Sequence, residues 1–140
     1  MPISQIVPAP KSSSFAGFSS AATAWGVSFD GSAAAAPGKV ELCETDVAAT
    51  VTSLTPTKWN DTAVASLCVG GTAATGYTAT AEGTITAVRM FDAELVAPTN
   101  QFVREFALGR EPVLAISKFL RIRVTFAAAT NAIAWILWSE

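Results

Sequence analysis

Three acidic side chains come closest to forming a catalytic site in this sequence. Glu41, Glu44 and Asp46 lie in one short stretch, and strand alternation would put Glu41 on one face and the other two opposite. Two carboxylates about 5–10 Å apart across a cleft can hydrolyse glycosides, and carboxylate oxygens can hold Ca²⁺. A glycosidase also needs a sizeable groove, and no D-x-[DN]-x-[DN]-G calcium loop is present. We therefore interpret the three acids as a solvated strand edge.

Other catalytic residue types are missing or badly spaced. The chain has no histidine, which removes Ser-His-Asp and Cys-His nucleophiles and His-containing zinc sites. Cys43 and Cys68 form no CxxC pair; they could make one disulfide or stay buried thiols, and we favour the thiols. Gly70-Gly71-Thr72 lacks the lysine of a phosphate-binding loop. We therefore expect no enzyme, no cofactor and no metal site.

Four tryptophans raise the question of carbohydrate stacking. Trp25, Trp135 and Trp138 lie inside strongly apolar segments, where core packing is the default. Trp59 stands beside Lys58 and the turn signal Asn60-Asp61, so it is predicted to lie in a loop. We expect it to anchor that loop on the core, and we keep a ligand platform at Trp59 as the weaker alternative.

Length and charge bound the remaining function classes. The 140 residues correspond to one domain, and 9 basic against 11 acidic residues argue against nucleic-acid binding. No uncharged apolar stretch is long enough for a transmembrane helix, and the N-terminus lacks the basic and apolar regions of a secretory signal. We expect no membrane partner.

Period-two alternation of apolar and polar residues recurs along residues 21–140 and predicts strands. Phe119 to Phe126 is the clearest case: Leu120 and the apolar residues at every second position after it form the buried face. Arg121 and Arg123 fall on the opposite, solvated face, where they form a mild basic patch that could meet an acidic partner. Turn signals separate eight or nine such segments, and no amphipathic helix is evident. The fold class is therefore predicted as all-β, a single β-sandwich with jelly-roll-like topology.

The two ends of the chain carry unusual apolar content. The last predicted strand, Ala132 to Trp138, is apolar on both faces, so it is either central in a covered sheet or in contact with another subunit. Residues 1–20 are broken by prolines and read as an extended N-terminal arm that docks on its own domain or on a neighbour, with a frayed terminus as the alternative. The candidate interface residues at the two ends and on the basic patch are Ile3, Ile6, Val7, Phe15, Phe18, Arg121, Arg123, Trp135 and Trp138.

Short motifs in chain order resemble a group of small virion proteins of tailed bacteriophages. They are a Ser28-Phe29-Asp30-Gly31 strand end, a Val40-Glu41-Leu42-Cys43 strand, a Leu108-Gly109-Arg110-Glu111-Pro112 turn, an Arg121-Ile122-Arg123-Val124 strand and a closing strand that begins Ala134-Trp135. The resemblance covers most of residues 22–140 and leaves out the arm.

The resemblance implies a non-enzymatic structural role in a phage particle. It implies a β-sandwich that decorates the outer surface of the capsid, contacts the major capsid protein and cements the shell, as a homo-oligomer with a trimer favoured. Localisation would be the virion, assembled in the host cytoplasm. Two alternatives stay open, a tail- or neck-associated virion component and a carbohydrate-binding adhesion module.

Overall fold

A computed structural model describes residues 3–8, 21–32, 35–47, 53–54, 58–60, 62, 70–71, 83–115 and 118–139, with backbone alone for 3–8, 53–54 and 70–71. These residues form strands and connecting turns, with no helix among them, so the predicted all-β class is confirmed. The strands are β1 (Ile3–Pro8), β2 (Ala21–Phe29), β3 (Gly38–Thr45), β4 (Ser53–Leu54), β5 (Gly70–Gly71), β6 (Val88–Val96), β7 (Gln101–Glu105), β8 (Phe119–Thr125) and β9 (Ala132–Ser139).

The strands build two antiparallel sheets. The larger has the order β4-β5-β1-β8-β3-β6, and the smaller has the order β7-β2-β9. In the larger sheet Val40 lies opposite Val124 and Leu42 opposite Ile122, so the apolar residues of β3 and β8 share one face. Among the described strands β9 lies at one edge of the smaller sheet and not at its centre, so contact with another subunit is the predicted alternative that stays open.

One hydrophobic cluster receives side chains from both sheets. Trp25 and Val27 come from the smaller sheet, and Leu42, Ile122 and Val124 come from the larger; all five are almost completely buried. The remaining members are Ala22, Val40, Val96, Leu114, Leu120, Phe126, Ala134 and Ile136. The buried face predicted for β8 and the core position predicted for Trp25 are thus confirmed, because the alternation in β8 and in β2 points into this cluster.

A β-bulge changes the facing of residues along β6. On one side of the bulge Cys43 lies opposite Met90, and on the other Leu42 lies opposite Asp92, so Phe91 is an extra residue in β6. An extra residue shifts the alternation by one. An even-numbered side chain before Phe91 therefore lies on the same face as an odd-numbered side chain after it.

Several predicted segments differ from the structure or fall outside it. β-Branched residues from Thr84 onward predict a strand over residues 84–95, but the strand begins at Val88, because Asp46 binds Thr86 and Ala87 as a loop. The Thr- and Val-rich sequence also predicts a strand over residues 47–54; Val47 lies outside any strand, and Ser53–Leu54 form β4. The segments 63–69 and 72–80 lie outside the described residues. No helix long and apolar enough to cross a membrane is found in the described part of the chain.

The predicted arm falls largely outside the description as well. Within residues 1–20, the backbone of Ile3–Pro8 pairs along its whole length with β8. Phe15 and Phe18 lie outside the described residues, as do the side chains of Ile3, Ile6 and Val7.

Candidate protein interface

The outer face of the smaller sheet is apolar at its centre. Gly26 of β2 lies between Val103 of β7 and Trp135 of β9, and these three positions share a face because they are cross-strand partners. Ile133 and Leu137 are two positions to either side of Trp135 and therefore point the same way. We call these five residues the outer patch.

The shape of the outer patch depends on a glycine. A Cβ built on Gly26 would lie 2.6 Å from Cζ2 and 2.7 Å from Cε2 of Trp135, so the indole ring lies directly against the backbone of β2. Ile133 is 58% exposed and Val103 51% exposed on either side of this ring. Apolar side chains held together on a rigid sheet and left open to solvent are typical of a contact surface.

The two apolar faces of β9 have different environments. Ala134 and Ile136 point inward and are buried in the cluster, and Trp138 packs against the same cluster. Trp135 points outward into the outer patch. The structure therefore separates the two predicted interface tryptophans: Trp135 lies on the outer surface and Trp138 lies on the core side.

Asp92 links the two sheets on the core side of the smaller sheet, opposite to the outer patch. Its Oδ2 accepts hydrogen bonds from Trp25 Nε1 at 3.1 Å and from Arg104 Nε at 3.0 Å. Trp25 is fully buried, and its ring also contacts Phe102 at a centroid distance of 4.9 Å. Asp92 lies on β6 of the larger sheet and its donors on β2 and β7 of the smaller, so one carboxylate holds three strands together.

The solvated face predicted for β8 is wrong at Arg121. Arg121 is fully buried, and its Nη2 donates to the carbonyl of Val47 at 3.1 Å. Arg121 lies opposite Cys43 of β3, which is also fully buried, so the second face of the larger sheet is covered here, and alternation alone does not reveal this. Arg121 is accordingly no surface group. Arg123, the other member of the predicted patch, is partly exposed.

The prediction of a solvated edge also fails for Glu41. This carboxylate is buried beside two cations, with Oε1 2.9 Å from Lys39 Nζ and Oε2 3.8 Å from Arg123 Nε. Burial of a charge is tolerable where an opposite charge compensates it. Glu41 is therefore a buried group of the larger sheet that forms ion pairs with residues of β3 and β8.

The other two acids hold separate loops. Glu44 is buried, which also contradicts the solvated edge, and it accepts the backbone N–H of Ala115 at 3.2 Å. Asp46 accepts from the hydroxyl and N–H of Thr86 and from the N–H of Ala87. These bonds, led by the Thr86 hydroxyl, lower the pKa of Asp46 to about 2. Among the described residues no group of three or more His, Cys, Asp or Glu side chains could hold a metal ion.

Cys43 is a free thiol, as favoured from the sequence. It is fully buried, and burial raises the pKa of its thiol even though Arg123 Nη2 lies 3.5 Å from Sγ. A thiol in this state is a weak nucleophile. Cys68 lies outside the described residues.

Trp59 does not anchor its loop on the core. It is 87% exposed, beside exposed Lys58 and Asn60. Asn60 instead shapes the turn, because its Oδ1 accepts from the N–H and the hydroxyl of Thr62. The ligand platform at Trp59 stays a prediction.

The sequence did not single out Val103 of the outer patch, the exposed apolar residues of β6, or Asp92. The role of Asp92 depends on contacts between strands that lie far apart in the chain. The sequence of β6 does contain a signal for the bulge, because its apolar residues change from even-numbered (Val88 and Met90) to odd-numbered (Ala93 and Leu95). One extra residue between the two pairs puts all four side chains on the same face.

No protein family model matches the chain, and no curated protein or solved structure matches it either.

Proposed function

We propose that this chain is a non-enzymatic structural protein of a bacteriophage virion. In this proposal it is a single β-sandwich of jelly-roll-like topology that binds the outer surface of the capsid, contacts the major capsid protein and cements the shell. Residues 1–20 act as an extended arm that adds contacts to neighbouring subunits. The resemblance described above is the reason for placing the chain in a virion, and the outer patch is the observation that supports a binding role.

The outer patch supports self-association because of its chemistry. Its five residues carry no charge, and Gly26 and Trp135 form a close-packed base on which Ile133 and Val103 stand exposed. A second apolar surface is the partner that removes such side chains from water, and another copy of the chain presents one. We propose a homo-oligomer, with a trimer favoured, in which the outer patches lie at the subunit contacts.

Cementing then follows from linkage. A protein that binds the assembled shell, and does not bind dissociated or unfolded shell subunits, stabilises the assembled state. An oligomer that spans several capsid subunits acts more strongly, because its second and later contacts are intramolecular. The outcome is a higher temperature of shell disruption for occupied particles.

The first experiment measures the mass of the full chain by light scattering over a range of concentrations. The variant Ile133→Glu places a charge in the outer patch, and Leu108→Glu makes the same change at an exposed residue outside it. We expect an oligomer for the wild type and for Leu108→Glu, and smaller species for Ile133→Glu. A wild type that stays monomeric at all concentrations would contradict the role of the outer patch.

The second experiment tests the shell itself. Particles of the phage that encodes the chain are prepared without it, then heated with and without the added protein, and release of DNA is followed by dye fluorescence. We expect saturable binding and a higher release temperature. Binding to the tail or neck alone, seen by gold labelling in electron micrographs, would replace the capsid role with the tail-associated one.

Trp59 supports a second candidate function, a carbohydrate-binding adhesion module. Sugar rings stack on exposed aromatic faces and form hydrogen bonds with polar neighbours, and Trp59 offers such a face with Lys58 and Asn60 beside it. A glycan array with the wild type and Trp59→Ala tests this function. Binding that is lost in Trp59→Ala supports it, and a blank array with the wild type contradicts it.

A further inference from the structure

The strand β6 forms an open edge of the larger sheet. It pairs with β3 on one side, and among the described residues no strand pairs with its other side. An edge strand presents backbone N–H and C=O groups that another strand can use. Lysine, proline, other charges and bulges commonly limit pairing at natural edges. Val88–Val96 contains no lysine or proline, but it carries three charged residues and a bulge, so only a partner that matches these features can pair with it.

The bulge at Phe91 gathers the apolar side chains of β6 on one face. Val88 and Met90 lie opposite Thr45 and Cys43, and Ala93 and Leu95 lie opposite Glu41 and Lys39, all on the outer face of the larger sheet. Val88, Met90 and Leu95 are 47%, 46% and 68% exposed. We call these four residues, Val88, Met90, Ala93 and Leu95, the β6 row.

The charged residues of β6 fall on the opposite face. Arg89 and Glu94 are both exposed there, at the two ends of the strand, with the Arg89 guanidinium 4.9 Å from the ring centroid of Phe91. Glu94 lies 3.7 Å from Arg104, at the surface. One cation and one anion that lie equally far from the point between Phe91 and Asp92 can each meet the other in a second copy that runs antiparallel.

The pattern of β6 is self-complementary about a two-fold axis between Phe91 and Asp92. In that register Arg89 lies opposite Glu94 of the second copy, and each pairing occurs twice. Val88 lies opposite Leu95 and Met90 opposite Ala93, so the β6 row of one copy continues into that of the other. The bulges also lie opposite each other, which keeps every pair on a common face. A two-fold axis centred on a residue would pair apolar positions of one copy with charged-face positions of the other.

We propose that two copies of this chain pair through β6 in this antiparallel register and form one continuous sheet. The occupant of the edge is thus a second copy. The backbone groups of β6 supply the pairing, the β6 row supplies apolar contact, and the two Arg89–Glu94 pairs select the register. This contact is separate from the outer patch, and it does not depend on a role in a virion.

Charge exchange tests the proposal. In Arg89→Glu two like charges face each other at each end, and Glu94→Arg does the same with cations. We expect each single variant to weaken self-association at least tenfold, measured by sedimentation equilibrium at low salt. The double variant Arg89→Glu/Glu94→Arg restores the opposite pairing, and we expect it to return within about threefold of the wild type. Arg110→Glu, an exposed reversal outside β6, is the control.

A cross-linking experiment tests the register without relying on charge. In a background with both native cysteines changed to serine, Met90→Cys protein is mixed with Ala93→Cys protein under mild oxidation. We expect a disulfide-linked heterodimer from this pair and much less from Val88→Cys mixed with Ala93→Cys, which are out of register. Circular dichroism verifies that each variant is folded.

The outcomes separate this proposal from the outer patch. All measurements are repeated in the Ile133→Glu background, where a β6 dimer persists if the two contacts are independent. A protein that shows no self-association in that background, a double variant that is not rescued, or equal cross-linking in and out of register would each overturn the β6 pairing. Loss of the larger oligomer together with retention of the β6 dimer would instead remove only the outer-patch contact.

Discussion

Replacing Asp92 by alanine is expected to lower the free energy of unfolding by about 2–4 kcal/mol. The substitution leaves the indole N–H of Trp25, which is fully buried, without its carboxylate acceptor at 3.1 Å. A hydrogen bond to a charged group contributes about 1.5–3 kcal/mol. The lost pair with Arg104, whose side chain is 43% exposed, adds up to about 1 kcal/mol because solvent screens it.

Two further substitutions divide this effect into its parts. Asp92→Asn keeps an acceptor oxygen and removes the charge, so we expect a loss about half as large. Glu94→Ala, two positions along the same strand, removes a surface carboxylate 3.7 Å from Arg104; at protein concentrations low enough to keep the chain monomeric it is expected to change stability by less than about 0.5 kcal/mol. This variant is the matched control for the loss of a negative charge from β6.

Urea denaturation followed by tryptophan fluorescence and by circular dichroism is the assay. For a domain of this length, 1 kcal/mol corresponds to about 4 °C in melting temperature, so Asp92→Ala should melt about 8–16 °C lower. A double-mutant cycle with Trp25→Phe isolates the hydrogen bond, and we expect a coupling of about 1.5–3 kcal/mol. An Asp92→Ala variant no less stable than Glu94→Ala, or a coupling near zero, would refute the idea that this carboxylate holds the two sheets together.

Three other predictions concern packing, acid stability and thiol reactivity. In Gly38→Ala the new Cβ would overlap ring atoms Cε1, Cδ1 and Cζ of Phe126, so we expect a loss of about 1–3 kcal/mol in urea titrations; an unchanged midpoint would contradict this contact. The pKa of Asp46 is lowered to about 2, so its contribution to stability is present above its ordinary pKa near 3.8 and is lost as the pH falls toward 2. Asp46→Asn should therefore differ from the wild type above pH 4 and converge with it near pH 2, and a constant difference in urea midpoint across this range would argue against the shift. Cys43, in a Cys68→Ser background, should react with a thiol reagent only on unfolding, because burial raises the pKa of its thiol; modification of the folded protein at the rate of a free thiol would contradict its burial.

Both proposed contacts use exposed apolar side chains on faces turned away from the shared hydrophobic cluster. The outer patch lies on the face of the smaller sheet that is turned away from the core, and the β6 row lies on the outer face of the larger sheet at its edge. Two different self-contacts on one chain would allow an assembly to grow in more than one direction. This property suits a protein that covers a shell.

Alternation of apolar residues was sufficient to predict the all-β class and the inward faces of β2 and β8. Alternation is a local property, so Trp25 and Val27 in β2 and the residues from Leu120 onward in β8 could be assigned to a buried face without knowledge of their partners. The buried thiol of Cys43 was also predictable, because an apolar setting is the usual place of a free cysteine.

Whether the second face of a strand is covered could be seen only in the folded structure. Arg121 and Glu41 looked solvated because they alternate with apolar residues, yet neighbours from distant parts of the chain bury them. The edge position of β9 and the bulge at Phe91 depend on which strands pair and in what register. Pairing joins residues far apart in sequence, and a local pattern contains no information about them; for that reason the surfaces proposed for binding became visible only in the assembled sheets.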